Sequence, residues 1–183
     1  MELDPFEQDL VENLPVTFAN RGNILVVSGT RGAGKSAGCQ ALIDRYRRPG
    51  RKIAGILTPG RFDQGQKTGY FALDLAGGAS RLFASRVTGE IDGLRFGHWV
   101  FDPAVFEWGN QCLRQASDAD ILVVDELGFL EFDLHTGWTA GLETLQGRDY
   151  RLALVVIRPE CIEPFANLGF QFQVKTIEPL PGA

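Results

Sequence analysis

The sequence predicts an α/β fold, a three-layer sandwich in which helices cover a mainly parallel sheet that carries inserted antiparallel hairpins. Two observations lead to this fold class. Short apolar runs, typical of strands buried on both faces, alternate with stretches of helical pattern. Within residues 58–87 the pattern instead becomes an alternation of apolar and polar residues with many glycines, which is typical of hairpins. The apolar runs are residues 24–27, 53–57, 121–124 and 152–157.

The helices between these strands are predicted from start and stop signals. Residues 34–48 end in a basic cluster followed by Pro49 and Gly50, which indicates a helix end. Asp102 and Pro103 open a helix that we expect to reach about Gln115. Two further helices are expected over residues 135–146 and 160–167, and the alternation of Phe170, Phe172 and Val174 predicts a more exposed last strand.

The chain begins with a segment that carries its own helix signal. Asp4 and Pro5 are typical of an N-cap and a first helical position, and apolar residues four apart then form one stripe, at Phe6, Leu10 and Leu14. We therefore divide the chain into an N-terminal extension with a short helix, residues 1–22, and the α/β domain itself, residues 23–183. The stripe packs on the domain or offers a docking surface for a protein partner.

Charge and composition argue against several classes of binding partner and against a membrane location. The 183 residues suit one domain, and 18 basic against 23 acidic residues give a net charge of −5, which argues against nucleic acid or anionic lipid as a partner. The longest apolar run, residues 152–157, is far shorter than the roughly 20 residues of a membrane span. The acidic N-terminus lacks the pattern of a secretory signal. We therefore expect a cytoplasmic protein with no membrane contact.

One motif carries most of the functional information. Residues 29–36 satisfy the pattern G-x-x-x-x-G-K-[ST] in full, directly after an apolar strand and before a helix. Glycines let successive N–H groups converge on phosphate oxygens, and the helix N-terminus adds unsatisfied donors. Lys35 is expected to neutralise β- and γ-phosphate charge, and the Ser36 hydroxyl to ligate Mg²⁺. The predicted nucleotide-binding residues are Gly29, Thr30, Arg31, Gly32, Ala33, Gly34, Lys35 and Ser36.

A carboxylate pair completes the predicted site. The buried run 121–124 ends in Asp125 and Glu126, and it delivers both to the carboxyl edge of the sheet. We expect Asp125 to hold Mg²⁺ through its water shell, and Glu126 to orient or deprotonate the water that attacks the γ-phosphate. Lys35 and Glu126 are thus the predicted catalytic residues. Arg61 and Arg158 follow two other strands and are weaker candidates for phosphate contacts.

From about Asn23 to Ile157 the sequence resembles the P-loop nucleoside-triphosphatase family first recognised in thermophiles, which includes the human cancer-related nucleoside-triphosphatase. The resemblance rests on residues 29–36, 55–58, 67–70 and 124–131. Family members usually carry a basic residue, any residue, glycine and an aromatic in the hairpin, and Lys67, Gly69 and Tyr70 match this pattern. They also tend to carry lysine where this chain has Phe129.

The resemblance implies a P-loop NTPase fold and slow, Mg²⁺-dependent hydrolysis of ATP, GTP and other nucleoside triphosphates, with loose base selectivity. It also assigns the catalytic carboxylate to Glu126. Three other functions fit parts of the same pattern. A small-molecule kinase would use Glu126 on an acceptor hydroxyl, with residues 60–87 forming the acceptor pocket. A non-catalytic scaffold would bind the triphosphate without cleaving it. A GTP switch is disfavoured, because none of the four lysines lies in an [NT]-K-x-D segment.

Overall fold

The computed structural model describes residues 20–177, and these residues form a mixed sheet with helices on both faces. The strands are β1 (Asn23–Gly29), β2 (Ile53–Leu57), β3 (Gly60–Asp63), β4 (Gln66–Asp74), β5 (Ser80–Ser85), β6 (Leu94–Phe96), β7 (Trp99–Phe101), β8 (Ala119–Leu127), β9 (Tyr150–Ile157) and β10 (Gln173–Ile177). The helices are α1 (Lys35–Tyr46), α2 (Pro103–Arg114), α3 (Phe129–Phe132), α4 (Thr139–Gly147) and α5 (Ile162–Ala166), with a 3₁₀ turn at Pro159–Cys161 before α5.

One half of the sheet is parallel, in the order β10-β1-β9-β8-β2. The carboxyl ends of these five strands therefore meet at one edge, where open α/β sheets bind their ligands. The other half continues as β4-β5-β7-β6 with antiparallel pairing, and β3 pairs with β4 beside this path. The predicted mixed sheet with inserted hairpins is confirmed.

The core lies on both faces of the parallel half, because successive side chains of each buried strand point to opposite faces. On one face, α1 packs Cys39, Leu42 and Ile43 against strand residues such as Val27. On the other face, α2 and α4 bury a larger, aromatic-rich cluster that includes Trp138. All four predicted apolar runs lie inside parallel strands, which explains why they lack the alternation of a half-exposed strand.

Several predicted boundaries need correction. The last strand begins at Gln173, whereas Phe170 and Phe172 precede it and pack their rings against Phe165. Their alternation therefore reflects aromatic packing before the strand. The helix expected from residue 135 begins at Thr139, because His135 has a positive φ of 50°. Strands β6 and β7 and the single turn α3 were not predicted.

The predicted helix within residues 1–22 falls mostly on residues 1–19, which lie outside the described residues, as do residues 178–183. The boundary between extension and domain therefore stays a prediction. Within residues 20–177, none of the helices has the length and apolar character that crossing a membrane requires.

Candidate active site

The glycine-rich segment forms the turn between β1 and α1, at the carboxyl edge of the sheet. Gly32 and Gly34 have φ values of +85° and +86°, in the left-handed region that favours glycine. A Cβ at Gly29 would lie 2.4 Å from the carbonyl oxygen of Ile177, so β10 approaches the start of the turn too closely for a side chain. Glycine is thus required at positions 32 and 34 because the backbone is left-handed, and at position 29 because another strand lies too close for a side chain.

Helix α1 presents its amino end to this turn. Gly34 is its N-cap, and no side chain caps the N–H groups of the first turn. The first turn also carries no acidic residue that would compete with an anion. Unsatisfied N–H groups and the positive end of the helix dipole are the features that bind phosphate at a helix N-terminus.

The side chain of Lys35 folds back over the turn and is 8% exposed. Its Nζ donates hydrogen bonds to the carbonyl oxygens of Gly29 at 3.1 Å and Thr30 at 3.2 Å. The same Nζ lies 3.6 Å from Oε2 of Glu126. The structure therefore brings together the two predicted catalytic residues, although they are far apart in the sequence.

Asp125 is fully buried near the end of β8, beneath the cleft. Its Oδ2 accepts a hydrogen bond of 2.9 Å from the backbone N–H of Thr58, at the end of β2. Its Oδ1 is buried and has no hydrogen-bond partner among the described residues. Burial raises the pKa of Asp125 from 3.8 to about 6, while the Thr58 N–H and the nearby Ser36 hydroxyl oppose this rise. An unpaired carboxylate oxygen beside a serine hydroxyl fits the donor set of a hydrated Mg²⁺.

Glu126 points to the cleft because β8 bulges at this residue. Asp125 pairs with Val156 and Leu127 pairs with Ile157, so Glu126 is an extra residue on its strand. Oε1 of Glu126 accepts a hydrogen bond of 2.6 Å from Nε of Arg158, which follows β9. Glu126 and Arg158 are both only partly exposed, and both line the cleft over the glycine-rich turn.

The β3-β4 hairpin supplies the opposite wall of this cleft. Lys67 and Tyr70 line it, and Nζ of Lys67 lies 5.0 Å from the ring centre of Tyr70 and 5.4 Å from that of Phe62. Burial lowers the pKa of Lys67, and the nearby positive charge of Arg31 lowers it further. A partly desolvated ammonium group facing the cleft is suited to binding an anion.

Arg61, one of the weaker candidates, does not line the cleft. Its guanidinium donates to both carboxylate oxygens of Glu90, at 2.6 and 2.7 Å, and to the Thr68 hydroxyl at 3.1 Å. Arg61 follows β2 as expected, but Glu90 and Thr68 hold its side chain away from the cleft. Arg158 does reach the cleft.

Not every residue of the motif lines the cleft. Arg31, Gly32, Gly34, Lys35 and Ser36 do, whereas Ala33 is buried beneath the turn. Gly29 and Thr30 contribute to the site through their carbonyl oxygens, which accept hydrogen bonds from Lys35. The binding roles assigned to these residues from the sequence stay predictions.

Glu131 is a feature that sequence reasoning missed. It is 4% exposed, and its carboxylate accepts hydrogen bonds from the backbone N–H groups of Gly128 at 2.8 Å and Trp138 at 2.7 Å. Burial raises the pKa of Glu131 from 4.5 to about 7. These bonds fix the segment that follows Glu126. The sequence offered a signal only in the form of a glutamate three residues after Gly128, the spacing of a capping box.

Comparisons with known proteins identify the family of this chain. Residues 24–174 match the model of a protein family described as NTPase. The chain is 30% identical to nucleoside-triphosphatase THEP1 of Methanosarcina acetivorans over 84% of this chain and 87% of that protein. It is 29% identical to nucleoside-triphosphatase THEP1 of Ignicoccus hospitalis over 67% of this chain and 69% of that protein.

Two solved structures share the fold. The solution structure of a human cancer-related nucleoside triphosphatase aligns with a TM-score of 0.64 at 20% identity, covering 84% of this chain and 88% of the other. The crystal structure of THEP1 from Aquifex aeolicus aligns with a TM-score of 0.60 at 14% identity, covering 85% and 90%. The predicted resemblance and fold class are confirmed, as is the prediction of a nucleoside-triphosphatase. The chain therefore belongs to the NTPase family.

Proposed function

We propose that this chain hydrolyses ATP, GTP and other nucleoside 5′-triphosphates to diphosphate and phosphate with Mg²⁺, at the cleft over residues 29–36. The observation that carries the proposal is the position of Glu126. Its carboxylate lies 3.6 Å from Lys35 Nζ and 2.6 Å from Arg158 Nε, so the expected phosphate-binding cation and a general base share one place.

The ion pairs of Glu126 suggest how binding and catalysis are linked. A bound γ-phosphate offers Lys35 and Arg158 a new anionic partner, which leaves the Glu126 carboxylate to accept a proton. The oxygen of a water molecule then attacks the γ-phosphorus while Glu126 takes its proton. The bond between the γ-phosphorus and the bridging oxygen breaks, and the nucleoside diphosphate leaves with that electron pair.

Ser36 and Asp125 would hold the metal ion. The unpaired Oδ1 of Asp125 supports this assignment, because a buried carboxylate oxygen without a partner is costly unless a ligand or water satisfies it. When bound, Mg²⁺ would neutralise charge on the β- and γ-phosphate oxygens. Among residues 20–177 there is no cluster of three or more His, Cys, Asp or Glu side chains arranged for a metal. This fits a site that Mg²⁺ shares with substrate phosphates.

Phosphate release from ATP, GTP, CTP and UTP, each with Mg²⁺, Mn²⁺ or EDTA, tests the proposal. We expect metal-dependent release from all four at similar rates, and a single dominant substrate would contradict loose base selection. Glu126→Gln should bind nucleotide but lose 100-fold or more in kcat, the usual range for a general base. Lys35→Ala should lose binding, and Glu163→Gln, at an exposed position outside the cleft, is the matched control.

A non-catalytic scaffold predicts a different result. If Glu126→Gln releases phosphate as fast as the unchanged chain while Lys35→Ala loses nucleotide, the carboxylate does no chemistry and hydrolysis at this cleft is refuted. The cytoplasmic location, the absence of a nucleic-acid partner and a protein partner for residues 1–22 stay predictions from the sequence.

A further inference from the structure

A second cavity of about 200 Å³ adjoins the cleft over residues 29–36, which we call the phosphate cleft, and seven of its seventeen lining residues are aromatic. Phe83 and Trp138 stack with their ring centres 4.7 Å apart, and Tyr70 meets Trp99 edge-to-face at 4.9 Å. The aromatic residues that line the cavity are Tyr70, Phe83, Phe96, Trp99, Phe101, Phe129 and Trp138. Such walls bind flat rings, since aromatic pairs gain from stacked and edge-to-face contacts.

Two of these aromatic residues are exposed to a degree unusual for phenylalanine. Phe96 and Phe129 are each 37% exposed, and both line the cavity. They come from separate elements, β6 and the start of α3, which the fold brings to one place. Exposed apolar side chains that converge on a cavity mark a binding surface more often than isolated ones do.

The position of the cavity relative to the triphosphate follows from the residues that the two spaces share. The shared residues are Arg31, Ser36, Thr58, Tyr70, Glu126 and Arg158. Gly32 and Gly34, whose backbone would hold the phosphate chain, line only the cleft. The cavity therefore lies on the side of the cleft where Glu126 would meet the γ-phosphate.

The shared residues also give the cavity one polar end. Arg158 is a donor there and Glu126 an acceptor, while Arg31 lies with its guanidinium carbon 5.9 Å from the ring centre of Trp99. A hydroxyl group both donates and accepts, so it complements a carboxylate beside an arginine better than a group that does only one. A cavity of about 150 Å³ holds benzene, so about 200 Å³ is suited to a slightly larger ring system.

We propose that this aromatic-walled cavity is a second ligand site, which takes a planar aromatic compound of one or two rings with a hydroxyl group directed at Glu126 and Arg158. The bound compound would lie next to the γ-phosphate and cover the side from which a water molecule reaches it. The site's location relative to the γ-phosphate rests on the proposed function, but binding of the aromatic compound to the nucleotide-free protein does not.

Isothermal titration of the full chain with 5-hydroxyindole and with indole tests the site. We expect 5-hydroxyindole to bind with a Kd below 1 mM and indole to bind about tenfold more weakly, because indole lacks the hydroxyl that pairs with the polar end. The double variant Phe96→Ser, Phe129→Ser should bind 5-hydroxyindole at least fivefold more weakly. Leu168→Ser, which removes an exposed apolar side chain outside the cavity, is the matched control.

Three results would overturn the proposal: no heat of binding with either compound, equal affinity for both, or equal affinity of the double variant and the control. Because the indole pair compares ligands on unchanged protein, it gives an answer even if the double variant folds poorly. A titration with saturating Mg²⁺ and ADP gives a further check. We expect the affinity for 5-hydroxyindole to stay within threefold, whereas full competition would assign the cavity to the nucleotide base.

Discussion

Replacing Glu131 with glutamine should reduce the dependence of stability on pH. Burial raises the pKa of Glu131 to about 7, against 4.5 in an ordinary environment. Between these values the unfolded chain has released this proton while the folded chain still binds it, so the free energy of unfolding falls as pH rises. Above pH 7 both states have lost the proton, and this contribution stays constant.

The magnitude follows from the window that the experiment spans. Between pH 5.5 and the folded-state pKa of about 7, the folded chain holds one proton that the unfolded chain has lost. This difference spans about 1.5 pH units of the experiment, and each unit is worth about 1.4 kcal/mol. The unchanged chain should therefore lose about 2 kcal/mol more than Glu131→Gln over this range. Any constant cost of the glutamine amide, which accepts with one oxygen only, cancels in this difference.

Urea unfolding at pH 5.5 and pH 8 measures the effect, with Glu163→Gln as an exposed control that should follow the unchanged chain. Asp125 also has a raised pKa, so it too lowers the free energy of unfolding as pH rises. Because Asp125 is present in both proteins, subtracting the loss of the variant from that of the unchanged chain leaves the contribution of Glu131. Equal losses of stability in the unchanged chain and in Glu131→Gln would show that burial does not hold the Glu131 proton, and the reasoning would be wrong.

Three further outcomes are expected. Gly34→Ala places a side chain at φ +86°, which costs about 1 kcal/mol of stability. It should also reduce the increase in Tm that Mg²⁺ and ATP cause. Gly50→Ala, at φ +83°, is the control: it should cost the same stability and leave the ligand-induced increase in Tm unchanged. Gly109→Ala puts a Cβ 2.3 Å from a buried indole ring and should lower the free energy of unfolding, measured with urea, by about 1–3 kcal/mol. Gly147→Ala, whose Cβ meets open space, is the control that should not lower it. Arg158→Met removes the hydrogen bond to Glu126, the proposed general base, and should lower kcat at least tenfold in a phosphate-release assay; an unchanged kcat would exclude a role for this arginine.

The parallel half of the fold was predictable because a continuous apolar run in the sequence indicates a strand buried on both faces. Each of the four apolar runs can satisfy its backbone hydrogen bonds only inside the sheet. The start of α2 was also predictable, because the side chain of Asp102 accepts a hydrogen bond of 2.8 Å from the N–H of Ala104, only two residues away. The short strands β6 and β7 were missed because three residues each carry too little periodicity. The late start of β10 was missed because aromatic rings packed before a strand show the same alternation as residues within it.

The geometry of the cleft over residues 29–36 was predictable to the extent that it is set locally. The turn over residues 29–36 is determined by glycines and by the helix that follows, so the sequence contains nearly all of its geometry. The aromatic cavity was not predictable, because its walls come from distant parts of the chain. The burial of Glu131 was missed because its spacing from Gly128 indicates a helix start and carries no information on burial. Gly128 and Trp138 are ten residues apart along the chain, yet one buried carboxylate binds both backbones.

The order of the strands explains why Arg158 belongs to the site while Arg61 does not. Both arginines follow a strand that ends at the carboxyl edge. Arg158 follows β9, which lies between β1 and β8, so it is flanked by Lys35 on one side and by Glu126 on the other. Arg61 follows β2 but lies in the hairpin beyond it, where Glu90 binds it. Strand order is set by packing across the whole sheet, so a residue's place along the chain identifies the edge it reaches and leaves its neighbours there undetermined.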